Sequence, residues 1–362
     1  MSARARRRSA AIAFTVAVTS GAALMLTACD PSAAPAGSSS ANAAAGSAPQ
    51  SAAPAAPAAA RPSAAAPATP TTRPAADTTP ARQAPKPELP TGAALGGLTI
   101  SDGSRYVVVN GGRVDFGTEV RDLAWSPDGH RAAFVNGAGD LVVSRPDGSD
   151  KVVVAKHPAG ETWSHPAWQV AAASPQGYFR AKDNLFFVAA KGGVTRLEKV
   201  AATGGTPEPL RLGTYSDDNV QPNPETGNLW PSGAGGQGSA VYANSGTGEV
   251  FVRDENLRQQ GGPVTKGSEP ALSPDGHEIV FVRSVDGHDH LFALDSVTYP
   301  LPAARDLTPH ATTDYTEPAW SADGRTIAAR TPDGIVTLPA HGSAAPVLVS
   351  TDHGLPAYRN QG

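Results

Sequence analysis

The sequence predicts an all-β fold, a six-bladed β-propeller closed by both chain ends, and three observations predict it. A block built around Ser-Pro-Asp-Gly recurs: Leu123-Ala124-Trp125-Ser126-Pro127-Asp128-Gly129, then Pro270-Ala271-Leu272-Ser273-Pro274-Asp275-Gly276, then Pro318-Ala319-Trp320-Ser321-Ala322-Asp323-Gly324. Aligned on Asp122 and the prolines at 166, 222, 270 and 318, the copies are spaced by 44, 56, 48 and 48 residues, the period of a four-stranded propeller blade. The two ends of the repeat region resemble different parts of one repeat, as a ring closed by its own termini requires.

The elements that precede the repeats are of another kind. Arg4, Arg6, Arg7 and Arg8 form a positive segment, an apolar stretch follows from Ala10 to Leu26, and Leu26-Thr27-Ala28-Cys29 ends it. Charge, apolar run and small residues in that order describe a secretory signal peptide, residues 1–28, and the run is too short and too interrupted to span a bilayer. Its ending resembles the lipobox of bacterial lipoproteins, in which Leu and two small residues precede a Cys and the cut falls before that Cys. That resemblance implies that Cys29 is the lipid attachment site, that the leader is removed before it, and that acyl chains such as palmitate hold the mature protein on the extracytoplasmic side of the cell membrane. More than one membrane signal is what stable anchoring requires.

Residues 29–94 are nearly pure Ala, Pro, Ser and Thr, with almost no aromatic or branched aliphatic side chain. Such a segment cannot bury enough apolar surface to offset its ordering entropy, so the sequence predicts a disordered, lipid-anchored linker. Its prolines favour extended conformations, giving a reach of about 200 Å if fully extended and about 45 Å as a flexible coil. Thr69-Pro70-Thr71-Thr72 and Thr78-Thr79-Pro80 have the composition of O-glycosylated stalks.

Core-forming residues appear at density only from Leu95, which sets the propeller at residues 95–362. With 29 basic and 33 acidic residues, a net charge of −4, there is no nucleic-acid footprint and no polybasic membrane patch. The one cysteine of the sequence is Cys29, so the propeller itself has no disulfide and no thiolate metal site.

Inside each repeat a short strand ends at Ser-Pro-Asp-Gly. Pro presets φ for the first corner, and Gly supplies the left-handed residue that closes a tight hairpin. β-branched strands follow, such as Ile279 to Val282, Leu141 to Ser144 and Val152 to Ala155, and the Trp of the first strand is placed to pack between blades. Two copies are degenerate. His165-Pro166-Ala167-Trp168 keeps the opening but has an insertion where the turn belongs, and Gln221-Pro222-Asn223-Pro224 leads into a Gly-rich stretch. At the ends, Leu98 to Val109 reads like the outer pair of a blade and Leu355-Pro356-Ala357-Tyr358 like an inner strand, leaving the shared blade without a second strand.

These repeats resemble those of the TolB-like propellers (WD40-like, PD40 repeats), which carry Pro-x-[Trp/Leu]-Ser-Pro-Asp-Gly before an apolar strand. The resemblance covers residues 95–362, is strong at the copies near 122, 270 and 318 and weak near 166 and 222. It implies a six-bladed propeller that binds proteins or small ligands in the cell envelope. The amino-terminal domain of the translocation protein of that family has no counterpart, so a translocation role is not carried over.

No catalytic constellation is expected. The Gly-x-Ser-x-Gly elbow and the further domain of propeller-gated hydrolases are missing, and Gly233 to Gly238 reads as a loop among strands. Asp286-Gly287-His288-Asp289-His290 could offer His288 and His290 to a metal on one strand face, but its place between two strands makes it a polar hairpin, so no metal and no cofactor are expected. The candidate partner-binding rim is Arg121, His165, Gln221, Glu269 and Glu317, the residues before the inner strands, which propeller geometry places around the central channel. The expected function is a monomeric envelope lipoprotein whose propeller acts as a binding scaffold for a protein or small ligand, without chemistry. The alternatives are an ion-dependent enzyme, lactonase-like or lyase-like, with Glu269 and Glu317 as its carboxylates, and a ligand-sensing accessory of a membrane transporter or kinase.

Overall fold

Strands with no polar face, such as Ala132–Val135 and Leu141–Ser144, need cover on both sides, and a ring of face-to-face blades supplies it. The computed structural model describes residues 89–213, 222–255 and 261–362. The signal peptide, Cys29, the linker up to residue 88 and Gln221 lie outside the described residues. Among the described residues there are six four-stranded antiparallel sheets and a single 3-10 turn, Gly92–Leu95. The fold is the predicted six-bladed propeller.

Blade 1 is Arg121–Trp125, Ala132–Val135, Leu141–Ser144 and Val152–Ala155, counted outward from the channel. Blade 2 is Glu161–Ala171, Lys182–Lys191, Val194–Ala201 and Glu208–Pro209. Blade 3 is Asn228–Ala234, Ser239–Asn244, Glu249–Arg253 and Gly261–Lys266. Blade 4 is Ser268–Leu272, Glu278–Val285, His288–Asp295 and Arg305–Asp306. Blade 5 is Thr316–Trp320, Thr326–Thr331, Gly334–Pro339 and Val347–Ser350. Each inner strand packs against those of the blades before and after it, and the ring closes from blade 6 to blade 1.

Blade 6 corrects the sequence reading. Its inner strand is Leu355–Tyr358, as expected, but Leu98–Ser101 is its second strand, pairing Thr99 with Ala357 and Ile100 with Pro356. Tyr106–Val109 is third, and the unanticipated Gly112–Asp115 is fourth. The amino-terminal segment therefore brings three strands rather than an outer pair, and nothing is missing from the blade. Gly112–Asp115 has no counterpart in the sequence pattern because its side chains are mostly exposed and polar, with no apolar run.

Local chemistry explains the Ser-Pro-Asp-Gly blocks as structure. In blade 4, Ser273 Oγ donates to Asp275 Oδ1 at 2.6 Å, and the Glu278 N–H donates back to Ser273 Oγ at 2.9 Å. Gly276, at φ +80°, closes the hairpin. The serine bond and the His277 N–H hold the Asp275 carboxyl below the usual value. Blade 2 keeps a version of this turn inside its insertion: Ser174-Pro175-Gln176-Gly177 bonds Gly177 N–H to Ser174 O and Phe179 N–H to Ser174 Oγ, both at 2.9 Å. The turn was displaced by a longer inner strand rather than replaced.

The tryptophans tie blades together, as the sequence suggested. Trp168 Nε1 donates to Ala124 O of blade 1 at 3.1 Å, Trp320 Nε1 to Ala271 O of blade 4 at 3.0 Å, and Trp125 Nε1 to Thr99 Oγ1 of blade 6 at 2.9 Å. Each buries an indole between sheets while satisfying its N–H.

Candidate functional site: the channel mouth

Five inner strands carry the same irregularity. Between Arg121 and Ala124, Ser164 and Ala167, Leu229 and Ser232, Ser268 and Ala271, and Thr316 and Ala319, the pairing register shifts by one residue, a β-bulge. In each, one residue takes left-handed φ near +50°: Asp122, His165, Trp230, Glu269 and Glu317. In four of them proline follows, and a bulge suits a residue with no N–H to offer the ladder. Non-glycine residues rarely accept this conformation, and bulges re-aim side chains where a site requires it. Here all five line one cavity of about 350 Å³ in the central channel, with Leu355 of blade 6 at the sixth place.

This register decides which rim residues meet. His165, Glu269 and Glu317 come together at the channel. Arg121 does not line the cavity: it is exposed, bonded to Asn136 O at 3.1 Å, and its neighbour Asp122 occupies the equivalent place. Gln221 lies outside the described residues, and the place assigned to it is held by Trp230. Both substitutions have one cause. Leu123, not Asp122, stands where the other blades have proline, and Trp230-Pro231 is the true X-Pro step of blade 3. The signal available in the sequence was the small-residue run after Pro231: a Cβ on Gly233 would stand 2.4 Å from Trp168 O, so only glycine lets these inner strands approach.

The bulges are chained to one another. The His165 N–H donates to Asp122 Oδ2 at 3.0 Å, and the Glu317 N–H donates to Glu269 Oε2 at 2.6 Å, each carboxylate accepting from the bulge of the next blade. His165 of blade 2 then meets Glu317 of blade 5, on the opposite side of the ring, with Nε2 and Oε2 3.8 Å apart; its Nδ1 lies 3.8 Å from Asp122 Oδ2. Side-chain exposure is 25% for His165, 27% for Asp122 and 15% for Glu317, so these groups are half-buried.

Burial opposes charge on His165, but the approach of Glu317 and the charges of Asp122 and Glu269 outweigh it and hold the imidazole above its usual value. Burial pushes the Glu269 carboxyl up to about 7, aided by the Glu317 charge and opposed by its bond from the Glu317 N–H. Trp230 stands edge-to-face with His165, ring centres 6.3 Å apart.

The second candidate opens on a two-residue hairpin turn, Asp286-Gly287, both at positive φ, and its remaining residues, His288 to His290, begin the third strand of blade 4. Its histidines go to different carboxylates: His288 Nδ1 lies 3.3 Å from Asp314 and His290 Nδ1 2.9 Å from Asp306. Among the described residues no three acidic, His or Cys side chains converge closely enough to hold a metal ion.

Residues 96–222 match the family described as the lipoprotein LpqB beta-propeller domain. The architecture matches the crystal structure of TolB from Acinetobacter baumannii at a TM-score of 0.50 and 15% identity, over 72% of this chain and 65% of that one. This chain folds as a six-bladed β-propeller similar to that of TolB. The matched part thus spans about two thirds of that TolB. The TolB-like propeller is also similar to a putative TolB from Agrobacterium tumefaciens (TM-score 0.44, 17% identity, 68% and 86% of the two chains). It is similar as well to an oligogalacturonate lyase in complex with manganese (TM-score 0.43, 13% identity, 68% and 73%). No curated protein matches significantly.

Proposed function

We propose that this protein is a lipid-anchored envelope protein that presents its propeller as a binding platform, with the channel mouth as the working surface. One observation carries the reading: five equivalent bulges aim three carboxylates (Asp122, Glu269 and Glu317), an imidazole (His165) and an indole (Trp230) into one cavity. Polar and aromatic side chains held at a position that faces a cavity and costs backbone strain serve recognition better than folding. Binding without chemistry is the form we propose, because the cavity's serines are engaged in structure. Ser126 Oγ bonds Asp128, and Ser232 Oγ accepts the Leu272 N–H.

A photo-crosslinking side chain at position 230, in intact cells, tests the surface. It is expected to give a discrete adduct that disappears when Leu355→Trp fills the channel, with melting temperature unchanged within about 2 °C. The same crosslinker at Val347, exposed on the outer strand of blade 5, is expected to give none. Equal adducts from both positions, insensitive to Leu355→Trp, would place the working surface elsewhere. The anchor has its own test. Cys29→Ser is expected to abolish incorporation of labelled fatty acid and release the protein from membranes, and label persisting on the variant would refute it.

A further inference from the structure

We propose that the channel seats one cationic side chain, the guanidinium or ammonium of an arginine or lysine on a partner polypeptide, against Glu317 and Trp230, in the place His165 holds in the free protein. This rests on the channel mouth being the working surface.

The bulge carboxylates are not equivalent. Asp122 and Glu269 each accept the backbone N–H of the next bulge. Glu317 is followed by blade 6, where the sixth place is Leu355, and its contacts are His165 and Arg330, both at 3.8 Å. These are beyond hydrogen-bond range. A half-buried carboxylate held only loosely has acceptor capacity to spare.

What approaches it is a group able to carry positive charge. His165 lies between Glu317 and Asp122 with its Nδ1 shielded from solvent and without a hydrogen-bond partner, and with Trp230 edge-to-face beside it. Carboxylate plus indole is the pairing that recognises organic cations, by charge and by the ring quadrupole. The imidazole is thus an internal occupant of a cation seat, poorly satisfied there. The acidic groups are too dispersed to chelate a metal ion, whereas a planar guanidinium spans a wider gap with several donors. The cavity of about 350 Å³ admits a side chain rather than a folded element.

Acidification acts against the visitor in two ways. Protonation puts the competing charge on His165, which faces Asp122, Glu269 and Glu317, and it removes the charge of Glu269, which faces Glu317, Arg330 and Asp289. Affinity therefore falls from pH 8 to pH 6.

The test uses the full-length protein, calorimetry, and the peptide acetyl-Gly-Gly-Arg-Gly-Gly-amide against its citrulline isostere, which keeps the shape and loses the charge. The arginine peptide is expected to bind about tenfold or more tightly than the citrulline one, a difference of about 1.4 kcal/mol. Its affinity is expected to weaken at pH 6, to drop about tenfold in Glu317→Gln, and to lose part of its pH dependence in His165→Asn, the rest belonging to Glu269. Equal affinity for the two peptides, or unchanged binding by Glu317→Gln, would overturn the proposal. Spermidine binding about tenfold more tightly than the peptide would assign the seat to free amines and overturn the polypeptide source. A position-230 adduct sensitive to Leu355→Trp, together with indifference to peptide charge, would sink the cation seat alone and leave the binding platform standing.

Discussion

Removing residues 355–362 from the full-length protein is expected to lower its melting temperature by about 10 °C or more. Leu355–Tyr358 is the inner strand of blade 6, paired with Leu98–Ser101 over four residues. The tail beyond it reaches into blade 1. The Arg359 N–H donates to Gly97 O at 2.9 Å, Arg359 Nε to Gly129 O at 2.8 Å, and Asn360 Nδ2 to Pro127 O at 3.1 Å, while the Arg359 guanidinium covers the Trp125 ring at 5.5 Å. The approach is so close that a Cβ on Gly129 would stand 1.9 Å from Asn360 O. Each hydrogen bond contributes about 1 kcal/mol net, and the truncation also uncovers Leu98 and Ile100, both buried. A loss of several kcal/mol from a total of roughly 5–15 follows, at about 2–4 °C per kcal/mol for a domain of this size. Arg359→Ala and Asn360→Ala, which leave the strand in place, should each cost about 1 kcal/mol. A truncated protein melting within about 2 °C of the intact one would mean that the ring does not depend on this closure.

The parts of the fold legible in the sequence are those written in local chemistry. Ser126, Asp128 and Gly129, and their counterparts in blades 4 and 5, announce a hairpin because their bonds run within the turn itself. Trp168 and Trp320 mark inner strands because an indole needs both cover and an acceptor. What the sequence withheld is register. Whether Leu98–Ser101 lies second or third in its blade depends on which strand pairs with Leu355–Tyr358, and that is settled 260 residues away along the chain (Leu98 against Tyr358). The bulges are withheld for the same reason: a residue becomes the extra one only relative to its partner strand. So the sequence points to Arg121 and Gln221, whereas the backbone turns Asp122 and Trp230 toward the channel. Glu269 and Glu317 were found because both stand before a proline in an otherwise regular repeat. Their half-burial was not foreseen, since it comes from blades on the far side of the ring.

That half-burial sets how the propeller responds to pH. Glu269 has a carboxyl pushed up to about 7 from an ordinary 4.5, first by burial and then by the Glu317 charge. Between those values the folded state holds the proton more tightly than the unfolded chain, so stability contributed by neutral Glu269 is complete below about pH 4.5 and lost as pH rises through about 7. His165 acts in the same direction. Its value is raised in the folded protein, so its contribution is complete below the unfolded value of about 6.5 and lost as pH rises through the folded one. The turn carboxylates Asp128, Asp275 and Asp323, held low by their serine bonds, act oppositely, but only in acid below about pH 4. Across pH 5 to 8 the channel groups therefore dominate, and the propeller is expected to be more stable at pH 5.5 than at pH 8. Glu269→Gln should remove most of that slope. Its amide oxygen still accepts the Glu317 N–H, while the charge that burial penalises is gone, so the variant should gain on the order of 2 kcal/mol at pH 8 and less than half as much at pH 5.5. Urea midpoints for both proteins at the two pH values measure it. A wild-type stability that rises from pH 5.5 to 8, or a Glu269→Gln variant destabilised at pH 8, would show that the carboxylate is better solvated in the channel than its half-buried position implies.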